Sequence, residues 1–146
     1  MNLGNLAKIC TVAAAATVLS AMAACSGRDD SDAVAGRLVG SRWVLFDVAG
    51  VPAISQVQAT LEFPKGGEFG GNNSCNHFGG KYKASETAFQ VSEMMQTLIG
   101  CEPLIAAQEM RYMQALGAAE RVEFDRDDLL IHCEGFAEPL RFRPGT

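Results

Sequence analysis

The amino-acid sequence predicts an α+β fold that is mainly antiparallel β, with about seven to eight short strands and one helix. Short runs of aromatic and β-branched residues recur along the chain. Turns rich in Gly, Pro, Asn and Asp separate these runs. One stretch, Pro103–Ala118, instead has apolar residues at helical spacing. The chain has 146 residues, which is enough for one domain and not for two.

The predicted strands lie between residues 42 and 143. The first, Arg42–Val48 (R-W-V-L-F-D-V), is rich in residues that favour strands and ends at the turn Gly50-Val51-Pro52. Strands as short and closely spaced as these are typical of an antiparallel meander. The full set is Arg42–Val48, Thr60–Phe63, Glu68–Asn72, Gly79–Ala84, Ala88–Val91, Arg121–Asp125, Leu129–Cys133 and Pro139–Arg143.

The helix is predicted to begin at Pro103, because a proline in the first helical turn loses no hydrogen bond. Gly117 lies where the helix is expected to stop. Apolar residues at helical spacing form one face, which we expect to pack on the sheet rather than on a partner. Met110 and Met113 lie off this face. The face comprises Leu104, Ile105, Tyr112, Ala115, Leu116 and Ala119.

Residues 1–24 have the composition of an export signal. They contain no Asp or Glu, and Lys8 is their one charged side chain. The residues from Ile9 to Ala24 are all apolar or small, as in a secretory signal. A membrane-spanning helix needs roughly 20 strongly apolar residues. This stretch is short and rich in Ala, so we expect it to be cleaved rather than retained as a transmembrane anchor.

The segment Met22-Ala23-Ala24-Cys25-Ser26 resembles the lipobox of bacterial lipoproteins, in which the cysteine thiol receives a diacylglycerol group. This resemblance implies that Cys25 is lipidated and anchors the mature chain to a membrane of the cell envelope. Ser26 implies the periplasmic face of the outer membrane if the organism has two membranes. The alternative is ordinary signal cleavage after Ala23, because Ala-x-Ala also precedes that bond.

Residues 25–36 are polar and small, and we expect the lipidated cysteine to be followed by a flexible tether there. The folded domain is predicted over residues 37–146. Loss of Lys8 with the signal leaves 11 Lys and Arg against 17 Asp and Glu, a net charge of −6. Because no basic run exists in the sequence, nucleic acid is not an expected partner.

Three motifs occur in order along the domain. Residues 38–45 (L-V-G-S-R-W-V-L) resemble L-x-G-x-x-W-x-L, and residues 75–82 (C-N-H-F-G-G-K-Y) resemble C-N-x-(F/Y)-x-G-x-Y. Residues 97–101 (T-L-I-G-C) stand where the pattern has T-x-M-A-C, with Ile99 and Gly100 in place of Met and Ala. Together they resemble the META domain family, which includes HslJ-like bacterial lipoproteins. The motif residues are Trp43, Cys75, Asn76, Phe78, Gly80, Tyr82, Thr97 and Cys101.

The resemblance implies that the antiparallel sheet curls into a partial β-barrel with the helix packed on it. It brings no established enzymatic activity, no catalytic residues and no cofactor. Some family members are linked to heat shock or antibiotic tolerance. Because the chain has a predicted lipid anchor and no convergent polar cluster, we expect a binding or accessory role toward an unidentified envelope protein or an apolar ligand. We expect the protein to be a monomer.

Three cysteines remain after the signal and the lipidated residue: Cys75, Cys101 and Cys133. Because Cys75 and Cys101 both belong to the family motifs, and export leads to an oxidising compartment, we expect them to form a disulfide. Two buried free thiols are the alternative. Cys133 is then expected to be a small buried hydrophobic residue on its strand.

A thiol-dependent enzyme is the main alternative function, with Cys75 or Cys133 acting beside His77 or His132. His132 and Cys133 are adjacent on a predicted strand, so their side chains should point to opposite faces and at most one could join a shared site. The spacing of these four residues matches no zinc motif, and we expect no metal. A periplasmic carrier of a small apolar ligand is a further alternative.

Overall fold

The computed structural model describes residues 30–146, with side chains from residue 33 onward. The predicted signal, the lipidation site Cys25 and the first residues of the tether lie outside this range. Eight strands form one antiparallel sheet in the order β5-β4-β3-β2-β1-β8-β7-β6. In chain order the elements are α1 Asp30–Leu38, β1 Arg42–Val48, β2 Thr60–Lys65, β3 Glu68–Asn72, β4 His77–Ala84, β5 Phe89–Gln96, α2 Pro103–Gly117, β6 Ala119–Asp125, β7 Asp128–Cys133 and β8 Leu140–Pro144.

The sheet curls into a nearly closed barrel, as predicted. Strands β1–β5 and β6–β8 are two meanders, which join where β8 pairs with β1 from Val48↔Leu140 to Trp43↔Pro144. The two outer strands, β5 and β6, contact each other and nearly complete the wall. An eight-stranded barrel has an interior that side chains can just fill. Fully buried residues fill it here, among them Phe63, Phe89 and Phe142.

The helix α2 covers one end of the barrel. Its residues Tyr112, Ala115 and Leu116 are fully buried against the barrel, and the Tyr112 hydroxyl donates to the Thr60 carbonyl over 3.2 Å. Arg111 holds the helix against the end of β1. Its guanidinium donates to the backbone carbonyls of Val48 at 2.8 Å and of Ala49 at 2.7 Å. The predicted helix is therefore confirmed, with its end one residue earlier at Gly117.

Two residues of the predicted helix face are wrongly assigned. Ala119 belongs to β6, because the helix ends at Gly117. Leu104 is 78% exposed, whereas the polar Gln108 is buried on the side toward the barrel. Gln108 is satisfied there because its amide accepts from the Ile54 N–H at 2.6 Å and donates to the Ser74 hydroxyl at 2.7 Å. The helical periodicity could not predict that Gln108 is buried while Leu104 is exposed, because both hydrogen-bond partners of Gln108 lie in distant loops.

The flexible tether predicted over residues 25–36 is also corrected. Its second half belongs to the helix α1, which covers the other end of the barrel. Leu38 is fully buried, Val34 packs on the core, and the Arg37 guanidinium lies 3.6 Å from the centroid of the Phe124 ring. These three contacts hold a segment whose polar sequence predicts no helix by itself.

The strand β5 extends five residues beyond its prediction, to Gln96. Its second half (S-E-M-M-Q) lacks apolar alternation because much of it is exposed at the sheet edge. The register shifts between Gly79 and Lys81, and Glu93 takes a positive φ of 52° in the opposite strand. A bulge of this kind is common on edge strands.

Candidate functional site

The loop between β3 and β4, residues 73–76, is built around the buried side chain of Asn73. Its Oδ1 accepts hydrogen bonds from the backbone N–H of Asn76 at 2.7 Å and of Cys75 at 3.3 Å. Its Nδ2 donates to the Gln96 side chain at 3.0 Å. Within the loop the positive φ of 88° belongs to Ser74 and not to an asparagine. The asparagine acts through its side chain.

Asn76 connects this loop to two other parts of the chain. It is 2% exposed, and its Oδ1 accepts from the Thr97 hydroxyl and from the Ile99 N–H, both at 2.7 Å. Its Nδ2 donates to Glu109 Oε1 in α2 at 2.8 Å and to the Ile99 carbonyl at 3.2 Å. One buried amide therefore fixes the segment 97–100 against both the barrel and the helix.

The structure contains the expected disulfide between Cys75 and Cys101, with a Cα–Cα distance of 6.1 Å. Cys75 immediately precedes Asn76, so the covalent link and the hydrogen bonds act on the same two segments. The second and third motifs of the sequence thus meet in one cluster. We call these residues, Asn73, Cys75, Asn76, Thr97, Cys101 and Glu109, the Asn76 cluster.

The aromatic motif residues are structural. Trp43, Phe78 and Tyr82 are each 6% exposed, and they belong to the core. Phe78 makes an edge contact with Tyr112 at 5.6 Å between ring centroids, and Tyr82 stacks on Phe89 at 5.6 Å. The Trp43 indole N–H finds a partner in a neighbouring serine hydroxyl at 2.6 Å. Burial of such rings is a main source of stability in a small barrel.

Gly80 is explained by the close approach of neighbouring groups to its backbone. A Cβ at this position would lie 2.8 Å from the Ser92 carbonyl oxygen and 2.9 Å from the Phe69 ring. Neither backbone nor ring can move without disturbing the sheet, so only glycine fits here.

The four residues of the predicted thiol site do not present an available thiol. Cys75 is in the disulfide, and Cys133 is 4% exposed, with burial raising its pKa to about 12. The half-buried His132 lies 2.8 Å from the Glu123 carboxylate, and His77 is exposed at the start of β4. Among residues 33–146, no group of three or more His, Cys, Asp or Glu side chains could hold a metal ion.

Thiol labelling tests this cysteine assignment. Because the Cys133 thiol is buried and its pKa is raised to about 12, a negligible fraction is thiolate at pH 8. We expect a thiol reagent to label no cysteine side chain in the native mature protein, and one after unfolding without reductant. Three labelled thiols in the unfolded, unreduced protein would contradict the disulfide.

Beside the Asn76 cluster lies a groove of about 570 Å³ between the segment 97–100 and α2. Three large apolar side chains are exposed around it: Leu98 is 89%, Ile99 61% and Met110 59% exposed. Exposed apolar groups gathered at one concave surface indicate a binding site more often than scattered ones do. The lining residues are Asn76, Gln96, Leu98, Ile99, Gly100, Ala106, Glu109, Met110, Met113 and Gln114.

The groove carries one ionisable side chain among its lining residues, the half-buried carboxylate of Glu109. The amides of Gln96 and Gln114 supply the other polar side chains beside Asn76. Neither Glu109 nor Leu98 was predicted from the sequence as a site residue. The available signal was the pair Leu98-Ile99, two large apolar residues in a segment without strand or helix periodicity.

Comparison with known proteins identifies a matching family and solved structures with a similar fold. A family model described as the META domain matches residues 36–144, which is most of the chain. No curated protein sequence matches significantly. A protein from Burkholderia xenovorans, solved by NMR, has a similar structure with a TM-score of 0.63 and 18% identity, covering 78% of this chain and 88% of that one.

A DUF4847 family protein from Bacteroides vulgatus is also similar, with a TM-score of 0.58 and 15% identity. This crystal structure covers 75% of our chain, which in turn covers 96% of that one. Identities this low show the fold alone. The family model, the cluster formed by two of the sequence motifs and the barrel lead to the same conclusion: the chain belongs to the META domain family.

Proposed function

We propose that this protein is a lipid-anchored, non-enzymatic binding protein of the cell envelope, and that the groove beside the Asn76 cluster is its binding surface. The observation that carries the proposal is the exposure of Leu98, Ile99 and Met110 around a single concave surface. Exposing such side chains to water costs about 25 cal/mol per Å² of apolar area, which a partner would recover on binding.

The construction of the groove supports this role. The disulfide and the side chain of Asn76 hold the segment 97–100 in place before any partner arrives. A preorganised surface loses less conformational entropy on binding, so more of the contact energy appears as affinity. Met110 and Met113 add flexible, polarisable side chains that can adapt to different partner surfaces.

The position of the anchor supports a partner on the side away from the membrane. The four residues 26–29 separate the proposed lipidated Cys25 from α1, and a link of this length spans at most about 17 Å. The groove lies at the opposite end of the barrel, beyond the seven residues of β1, which span about 23 Å. With α1 toward the bilayer, the groove faces the aqueous compartment.

The alternatives receive less support. A carrier would need space inside the barrel, but the interior is filled by buried aromatic and aliphatic side chains. A thiol-dependent enzyme would need a free, accessible cysteine, whereas Cys75 is bridged and Cys133 is buried. The residues that the structure describes contain no helix that is long and apolar enough to cross a bilayer.

We propose, from the family resemblance, that the accessory role concerns envelope stress or antibiotic tolerance.

Mass spectrometry of the mature protein tests the anchor. We expect an N-terminus at Cys25 carrying a thioether-linked diacylglycerol, and membrane association that the Cys25→Ser variant lacks. Acyl chains contribute about 0.8 kcal/mol per buried CH₂, so two or three hold the domain firmly. A mature chain that begins at Ala24 without added lipid mass would contradict the proposal.

Crosslinking in intact envelopes, followed by pull-down, tests the binding role. The wild type is compared with Leu98→Asp, which places a charge in the groove, and with Leu104→Asp, which changes another largely exposed leucine outside the groove lining. We expect a protein that is captured by the wild type and Leu104→Asp and lost with Leu98→Asp. Equal capture by all three variants would overturn the assignment of the groove.

A further inference from the structure

The segment 97–100 follows β5, and its hydrogen bonds involve alternate residues, Thr97 and Ile99, as they do in a strand. The Thr97 N–H donates to the His77 carbonyl at 3.0 Å, and the Ile99 N–H and carbonyl both bond to the Asn76 side chain. These groups all point toward β4. Because the backbone groups of successive residues in an extended chain point to opposite sides, those of Leu98 point away from β4.

The outward side of this edge is unpaired. Among the hydrogen bonds of residues 33–146, none involves the N–H or the carbonyl of Leu98. Leu98 as a whole residue is 89% exposed, so water reaches it freely. Exposed edges of this kind are templates for a further strand, and proteins that recognise peptides use them in that way.

The opposite wall of the groove is α2, which supplies Met110, Met113 and Glu109. The Glu109 carboxylate uses Oε1 to accept from Asn76 Nδ2, and no Lys or Arg belongs to the groove lining. A half-buried carboxylate on an apolar wall favours a cation on the ligand. The backbone edge, the apolar wall and the single negative charge are therefore complementary to one kind of ligand.

We propose that the groove binds an extended peptide segment of an envelope protein, which pairs with the backbone of Leu98, places apolar side chains against Met110 and Met113, and directs one Lys or Arg to Glu109. This inference rests on the proposed binding function and adds the chemical class of the partner. It commits to a protein segment rather than to a lipid surface, because the anchor and the groove lie at opposite ends of the barrel.

The test uses random peptides displayed on phage, selected against the mature lipoprotein in phospholipid nanodiscs. We expect the enriched peptides to share alternating apolar residues and a Lys or Arg. The most enriched peptide is then synthesised with single N-methyl groups along its backbone. A paired strand uses alternate N–H groups, so we expect affinity to fall about tenfold or more at every second position.

Matched protein variants test the side-chain contacts with the same peptide. Glu109→Gln keeps the oxygen that accepts from Asn76 and removes the charge, so we expect about tenfold weaker binding of the basic peptide. A peptide analogue in which citrulline or norleucine replaces the basic residue should bind the wild type and Glu109→Gln equally. Leu98→Asp should abolish binding, whereas Leu104→Asp should retain it.

Failure of this inference differs from failure of the proposed function. The inference is overturned if no peptide is enriched, if N-methylation has no alternating effect, or if enriched peptides lack a basic residue. The proposed function would still stand if a protein is captured from intact envelopes in a manner that depends on Leu98.

Discussion

Replacing Asn76 with Asp is expected to lower the free energy of unfolding by about 3 kcal/mol or more, although the two side chains have nearly the same shape. The carboxylate keeps the oxygen that accepts from Thr97 and Ile99. It loses the NH₂ that donates to Glu109 Oε1 and the Ile99 carbonyl, and it places a second negative charge 2.8 Å from Glu109. At a site that is 2% exposed, water cannot screen this repulsion.

Urea unfolding of the mature protein measures this effect, and Asn72→Asp provides the matched control. The Asn72 side chain acts as an acceptor, from the Ser74 N–H at 2.8 Å, and a carboxylate can take over that role. We therefore expect the control to change the free energy of unfolding by less than about 1 kcal/mol. If both variants were equally stable, the cluster would not hold the groove as we describe.

Removal of the disulfide is the second change with a large expected effect. The bond joins residues 26 apart in sequence, and in the chain-entropy model closing a loop of this length stabilises by roughly 3 kcal/mol. The variant Cys75→Ser/Cys101→Ser should therefore unfold at a lower urea concentration than the oxidised wild type. Its loss also frees the end of the segment 97–100, so we expect weaker capture of the partner.

Reductant supplies the control for this variant. Dithiothreitol should shift the urea midpoint of the wild type toward that of the double variant and leave the double variant unchanged. Cys133 cannot account for such a shift, because it is free in both proteins and buried. Equal midpoints for the oxidised wild type and the double variant would contradict a stabilising disulfide.

The elements that sequence predicts well are those whose local composition agrees with their burial. Strand β1 has the predicted bounds because its aromatic and β-branched residues are half-buried or buried along its length. Helix α2 begins as predicted at Pro103, where proline costs no hydrogen bond. The helix α1 was missed because it depends on contacts of Leu38 and Arg37 with distant parts of the barrel.

The site was predictable only in part. The resemblance to the family singled out Asn76, Thr97 and the two cysteines, but not the hydrogen bonds that join them. Asn76 and Glu109 are 33 residues apart, and no local pattern indicates that an amide in a turn meets a carboxylate on a helix. The groove itself exists because the segment 97–100 ends beside α2, which is a property of the tertiary structure.

Site-specific photo-crosslinking in intact envelopes tests the central claim most directly. A photoreactive amino acid is placed at Leu98 in the groove and, as a control, at Lys65, whose side chain is 69% exposed at the α1 end of the barrel. Our account predicts a discrete protein adduct from position 98 that is absent from position 65 and is reduced by Met110→Asp. Adducts only with lipid, or the same adducts from both positions, would contradict it.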